Sequence, residues 1–145
     1  MEDQFLEFKD RPSSTYPIHQ TAGEKGIVYI IYIFDEVKAP KEFVDVINVL
    51  DTATFNDVVI LKINSPGGYL DSTMTILSAL QNTVAHTVAD ISGTVASAAT
   101  MLALGCREIR IAPYTEFMIH NFSGGTYGKG HEIQRSVDFM MKNNR

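Results

Sequence analysis

Apolar positions along this chain recur in two alternating rhythms, one suited to strands and one to helices. Residues 27–34 are β-branched or aromatic without a break, which predicts a strand buried on both faces. Phe43, Val46, Ile47 and Leu50 then fall at i, i+3, i+4 and i+7, one face of a helix, with Pro40 near its start where a missing N–H costs nothing. The order repeats. Residues 58–63 predict a second strand, closed by the turn sequence Asn64-Ser65-Pro66-Gly67-Gly68. A helix with the stripe Leu70, Thr73, Met74, Leu77 and Leu80 follows, and then a short strand over residues 86–91, broken at Ser92-Gly93. Residues 95–104 read as an alanine-rich helix ended by Gly105 at its C′ position. Residues 108–111 and 116–119 predict strands around a Pro113-Tyr114 turn. A glycine-rich segment, 123–130, leads into a last helix with Ile133, Val137, Met140 and Met141 on one side.

Strands alternating with helices predict an α/β domain with largely parallel pairing. Residues 1–24 stand apart. They are polar, carry Pro12, Ser13, Ser14 and Pro17, and show little periodicity, so they read as a mobile arm or loop rather than core.

With 145 residues, one domain and one core are expected. A net charge of -5 supplies no basic field for nucleic acid or an anionic membrane surface. The longest apolar run falls far short of the roughly 20 residues of a membrane helix. The single cysteine, Cys106, admits no disulfide within the chain and reads as a small packed residue. The acidic start lacks the layout of a signal peptide, so a reducing cytoplasm is the expected compartment. His19, His86, His120 and His131 show no metal-ligand spacing, and the glycine-rich segment fits neither a P-loop nor a dinucleotide fingerprint. No metal and no cofactor are expected.

Three segments carry candidate chemistry. Ser97 opens a helix directly after a strand, where helix-start N–H groups can stabilise developing negative charge. The bland alternative is a helix packed closely through Ala and Ser. Gly67 and Gly68 end a strand, where the backbone can turn sharply and approach a ligand; the N–H of Gly68 and that of Ala98 would then form an oxyanion hole. The alternative is a plain strand-to-helix turn. His120 closes an apolar strand and can take the serine proton and return it to a leaving amine, or be structural. Order and spacing, rather than any one segment, make the hydrolytic reading.

Those features, Ile63 to Gly68, Gly93 to Ser97, Met118 to His120 and Gly124-Gly125, together resemble the Clp protease proteolytic-subunit (ClpP) family over about residues 26–145. The resemblance implies a ClpP/crotonase-like α/β fold of repeated β-β-α units with a protruding handle strand and helix. It divides the chain into an N-terminal arm or axial loop (1–24), a head domain (25–120) and the start of the handle (121–145). It makes Ser97 the nucleophile, His120 the base, Gly68 and Ala98 the oxyanion donors, and Gly67, Gly68, Gly124 and Gly125 the substrate-binding backbone. It further implies a homo-oligomer of stacked heptameric rings (a tetradecamer), peptide substrates, and an AAA+ unfoldase such as ClpX or ClpA that would use the ATP.

The sequence departs from the family at Val95, Ala99 and Asn121-Phe122. The family's third catalytic residue, an aspartate, comes from beyond the handle helix, in which this sequence ends; Glu132 and Asp138 do not match its position. The chain is either a fragment or a naturally short form working with a Ser-His pair; as written, weak or absent peptidase activity is expected unless another carboxylate substitutes, because losing the orienting carboxylate costs a serine protease about 10⁴-fold in turnover. The competing readings are a non-catalytic ring subunit and a crotonase-like acyl-CoA enzyme.

Overall fold

The computed structural model describes residues 15–119. Six strands form one sheet: β1 (Ile18–Ala22), β2 (Ile27–Phe34), β3 (Val58–Ser65), β4 (His86–Ala96), β5 (Glu108–Ile111) and β6 (Glu116–Met118). Strands β2 to β5 lie side by side in chain order and are parallel, whereas β1 is antiparallel to β2. Three helices make the crossovers: α1 (Val44–Thr52, entered through a 3₁₀ turn at Pro40–Phe43), α2 (Leu70–Asn82) and α3 (Ala98–Gly105). Crossovers of one hand between strands in sequential order put all three helices on one side of the sheet. They pack in a row there, α1 on α2 and α2 on α3. This is the predicted mixed α/β architecture with a mostly parallel sheet; the handle segment, 121–145, lies outside the described residues.

The core sits between the sheet and that helical layer. Ile31 and Ile33 of β2, Val59, Leu61 and Ile63 of β3, and Ile91 and Val95 of β4 are fully buried against Val46, Leu50, Ile76 and Leu102. Each such side chain contributes about 1.5–3 kcal/mol by leaving water.

One-sided packing corrects the expectation that the first apolar strand is buried on both faces. Val28, Ile30 and Tyr32 are only half-buried, because no helix among the described residues covers that side. In α2 the buried set is Ser72, Thr73, Ile76, Ala79 and Leu80, while Leu70 and Met74 are exposed. The expected stripe is thus turned part way round the helix. Small residues face inward where α2 lies between α1 and α3.

Two further corrections concern boundaries. Strand β4 does not break at Ser92-Gly93 but runs eleven residues to Ala96, so Val95 and Ala96 are strand rather than helix. Gly105 is the last residue of α3, and the extended Cys106 follows it. Its lack of a side chain lets α3 approach Leu77 of α2, and no left-handed C′ turn is involved. Cys106 is packed as expected: burial pushes its thiol up to about 12, against a lowering hydrogen bond with Thr87. Within the segment read as an arm, β1 pairs with β2 from Ile18↔Ile31 to Ala22↔Ile27. Four of its five side chains are exposed. Backbone pairing therefore holds this edge strand, and an alternation of apolar and polar residues does not announce it.

Candidate active site

Ser97 occupies the single residue between β4 and α3. Its backbone lies at φ 54, ψ -127, a left-handed conformation unfavourable for a residue with a Cβ. Three hydrogen bonds hold it there. The Ser97 N–H donates to the Met118 carbonyl at 3.1 Å. The Ser97 carbonyl accepts the Thr100 N–H at 3.0 Å and the Thr100 hydroxyl at 2.6 Å. The Ser97 hydroxyl makes no capping bond to the helix it precedes, and the residue is half-buried rather than sealed. A serine on a strained strand-to-helix turn, with an Oγ that does not cap the helix among the described residues, is an arrangement found for nucleophiles.

The glycine turn is pressed against that corner. A Cβ on Gly67 (φ 101) would lie 2.8 Å from the Ser97 Cβ, 2.9 Å from the Ala96 carbonyl oxygen and 3.0 Å from the Ala98 nitrogen. Only glycine allows so close an approach. The Gly67 N–H donates to the buried Ser65 hydroxyl at 3.1 Å, and its carbonyl accepts the Val37 N–H at 2.8 Å. Two residues on, the Tyr69 N–H donates to the Val37 carbonyl at 2.9 Å, completing a parallel bridge between Val37 and Gly68. In such a bridge the groups of the flanking residues face the partner, so the N–H of Gly68 faces away from Val37. Since β3 lies between β2 and β4, that is the side of β4 and Ser97. Gly68 (φ 153) is exposed, and a side chain there would collide with the Val37 carbonyl. Ala98 is the first residue of α3, and its N–H is one of those a helix start leaves without an intrahelical partner.

Strand β6 pairs with the end of β4 in parallel, Thr94↔Glu116, Val95↔Phe117 and Ala96↔Met118. The chain therefore reaches Ile119 beside Ser97. The structure thus brings together Ser97, Ala98, Gly67 and Gly68 of the residues proposed from sequence. His120, Gly124 and Gly125 lie outside the described residues.

Three contributors to this corner escaped the sequence reading. Asn64 Oδ1 accepts the Thr94 N–H at 3.1 Å, and its amide fills the space above Gly93 (φ 63), where a Cβ would meet it at 2.7–2.9 Å. Its carbonyl accepts the Asp35 N–H at 2.9 Å. Asn64 thereby fixes the path of β4 toward Ser97; an amide side chain just ahead of a glycine turn is the one signal that pointed to it. Ser65, buried, holds the turn from within. Val37 acts through its backbone alone, which no residue-type pattern reveals. An open groove between α1 and α2, lined by Ile47, Asp51, Met74 and Asn82, shares no residue with the corner. Among the described residues no cluster of three or more His, Cys, Asp or Glu is arranged to hold a metal, and no helix is long and apolar enough to cross a membrane.

The family model described as Clp protease matches residues 11–145. The ATP-dependent Clp protease proteolytic subunit of Ligilactobacillus salivarius is 33% identical over 95 residues, covering 64% of this chain and 48% of that protein. The ATP-dependent Clp protease proteolytic subunit 2 of Pseudomonas aeruginosa is 31% identical over 99 residues, 67% of this chain and 49% of that protein. The chain thus spans about half the length of the curated relatives it matches.

Proposed function

Because this chain belongs to the Clp protease family, we propose that it is a serine endopeptidase subunit whose nucleophile is Ser97. The observation that carries the reading is the Ser97 corner itself: a strained serine whose hydroxyl makes no capping bond among the described residues, against which a glycine turn is pressed. Ser97 Oγ attacks the peptide carbonyl carbon while His120 accepts its proton. The carbonyl oxygen becomes an oxyanion between the N–H groups of Gly68 and Ala98, and these stabilise charge that exists only once the tetrahedral intermediate forms. On collapse the C–N bond breaks and His120 passes the proton to the leaving amine. Water then repeats the cycle on the acyl-serine and regenerates the hydroxyl. The spacing supports His120 as the base: from Met118, whose carbonyl accepts the Ser97 N–H, two residues of chain reach at most about 7 Å.

The assembly is part of the same proposal: a homo-oligomeric chamber, stacked heptameric rings, peptide and unfolded-protein substrates, an ATP-using AAA+ unfoldase such as ClpX or ClpA as partner, and a cytoplasmic setting. A protease reading mainly substrate backbone has little sequence selectivity, and enclosure keeps it from folded proteins.

Labelling with a fluorophosphonate and peptide mapping tests the reading. Ser97 is expected to carry the adduct. Ser97→Ala should lose it and reduce hydrolysis of a fluorogenic peptide to background, on the order of 10⁶-fold where a carboxylate orients His120 and about 10²-fold where none does. An unlabelled Ser97 with no peptide turnover would instead favour a non-catalytic subunit, and thioester turnover without peptide turnover a crotonase-like enzyme.

A further inference from the structure

The residues that orient the glycine turn are themselves held by a side chain from the N-terminal segment. Residues 36–38 form a strap in which five consecutive backbone polar groups are engaged. The Glu36 carbonyl accepts the Tyr16 hydroxyl at 2.6 Å. The Val37 N–H and carbonyl bind Gly67 and Tyr69 on either side of Gly68. The Lys38 N–H donates to the Tyr16 oxygen at 2.9 Å, and the Lys38 carbonyl accepts the hydroxyl of the buried Ser72. Tyr16 thus grips the strap on both sides of Val37, the residue that sets the direction of the Gly68 N–H.

Tyr16 is itself firmly seated. It is 1% exposed, and its ring stacks on Phe43 with centroids 4.1 Å apart. Its neighbours are tied as well: Thr15 Oγ1 donates to Glu42 at 2.7 Å, and the Pro17 carbonyl accepts the Tyr32 N–H at 3.1 Å. Burial raises the phenol above its ordinary value, with the Glu42, Glu36 and Asp35 carboxylates acting in the same direction and the Lys38 N–H opposing. The hydroxyl therefore keeps its proton and remains both donor and acceptor.

We propose that Tyr16 is a positioning residue for the oxyanion hole, acting through the 36–38 strap to hold the Gly68 N–H toward the attacked carbonyl. The inference rests on the reading of Ser97 as a nucleophile, because only then does the direction of that N–H matter to a reaction. The physical link is a chain of short, directional bonds: phenol to strap, strap to glycine turn, glycine turn against Ser97. Without the phenol, two strap groups lose their partner and the Val37 peptide planes are free to tilt. The Gly68 N–H tilts with them.

Tyr16→Phe on the full chain tests this, since it keeps the stacking on Phe43 and removes only the hydroxyl. The amide cross-peaks of Gly67 and Gly68 in a ¹⁵N correlation spectrum are expected to shift. The rate of Ser97 labelling by a fluorophosphonate and kcat on a fluorogenic peptide are each expected to fall about ten- to a hundredfold, with KM within twofold. A merely structural role would lower Tm and leave kcat, measured well below Tm, at the wild-type value. Ser72→Ala, which removes the other side-chain anchor of the strap, is expected to move the same two cross-peaks if Tyr16→Phe does not fold. Unmoved glycine amides in either folded variant, or wild-type labelling and kcat in Tyr16→Phe, overturn the inference. A wild-type chain whose Ser97 is never labelled overturns the nucleophile reading instead, and the glycine amides still report whether the strap is coupled to Tyr16.

Discussion

At the N-terminal ends of β3 and β4 the chain is tied by charged side chains, whereas at their C-terminal ends it is tied mainly by its own backbone. In the first region Asp57 accepts the Ile27 N–H at 2.8 Å and the Thr54 N–H at 2.7 Å. Arg107 donates to the carbonyls of Ala85 and Thr83, each at 3.0 Å, and His86 meets Glu108 at 3.0 Å. In the second region Val37, Gly67, Tyr69, Ser97 and Met118 bond main chain to main chain, and Gly67, Gly68, Gly93 and Ser97 all have positive φ. Side-chain ties tolerate small movements. Backbone ties around a glycine turn fix a shape, and the glycines themselves put no side chain in the way of a substrate. The carboxyl ends of parallel strands are where such folds carry function, and the division of labour here follows that rule. Changes at one end should cost activity, and changes at the other should cost stability.

Gly67→Ala should break the comparison most severely. Its methyl group would stand 2.8 Å from the Ser97 Cβ and 3.0 Å from the Ala98 nitrogen, and φ 101 disfavours any Cβ. Either the turn or the Ser97 corner must shift. Misplacing an oxyanion donor costs about 10²–10³ in kcat, so a loss of that size is expected in a peptide assay. Retention of more than half the activity would show that the Ser97 corner does not need this close approach.

Asn64→Ala is expected to have a smaller effect at the same end. It removes the acceptor for the Thr94 N–H and empties the space above Gly93. The Thr94 bond is exposed, so water can replace it, and a net loss of about 1 kcal/mol is reasonable for one such bond. If that loss falls on the active conformation, kcat drops about fivefold. Asn64→Asp keeps the accepting oxygen and should restore most of the activity. Equal defects in both variants would mean that the amide's bulk over Gly93, and not the hydrogen bond, guides β4.

The contrast between the two ends also marks what the sequence made legible. Elements built on side-chain pattern could be read: the apolar runs became β2 and β3, and the helical spacing of Phe43, Val46 and Leu50 faces the core as expected. Elements built on backbone pairing could be read only in part: residues 86–91 are expected as strand, but the rest of β4 and all of β1 are not. Strand β1 has four exposed side chains out of five, and β4 passes through Gly93 because Asn64 supports it there. For α2 the apolar spacing points to Leu70, Thr73, Met74, Leu77 and Leu80, whereas tight packing between neighbours buries Ser72, Thr73, Ile76, Ala79 and Leu80, a face richer in small residues. At the candidate site, Ser97, Ala98, Gly67 and Gly68 were visible as residue types in order. Val37 and Tyr16 were not, since one acts through its peptide groups and the other stands in a polar, proline-bearing segment without periodicity.

The smallest effect is expected at the opposite end, from Asp57→Asn, and it should be legible only against pH. The Ile27 N–H and then the Thr54 N–H donate to the carboxylate and hold its carboxyl below the ordinary range, with burial opposing. A depressed carboxyl stabilises the fold above its unfolded value, near 3.9, and loses that contribution as pH falls through the folded value. An asparagine can present only one oxygen, so one of the two N–H groups faces an NH₂. Tm of Asp57→Asn should therefore lie below wild type by a constant margin from pH 8 to about 5, and the margin should shrink below about pH 4. Glu108, lowered by His86 and then Arg110, adds acid sensitivity of the same sign to both proteins and cancels in the difference. The kcat of Asp57→Asn should equal wild type, because nothing at this end reaches Ser97. A Tm margin that did not change with pH would remove the carboxylate charge from the account, and a lowered kcat would erase the distinction between the two ends of the strands.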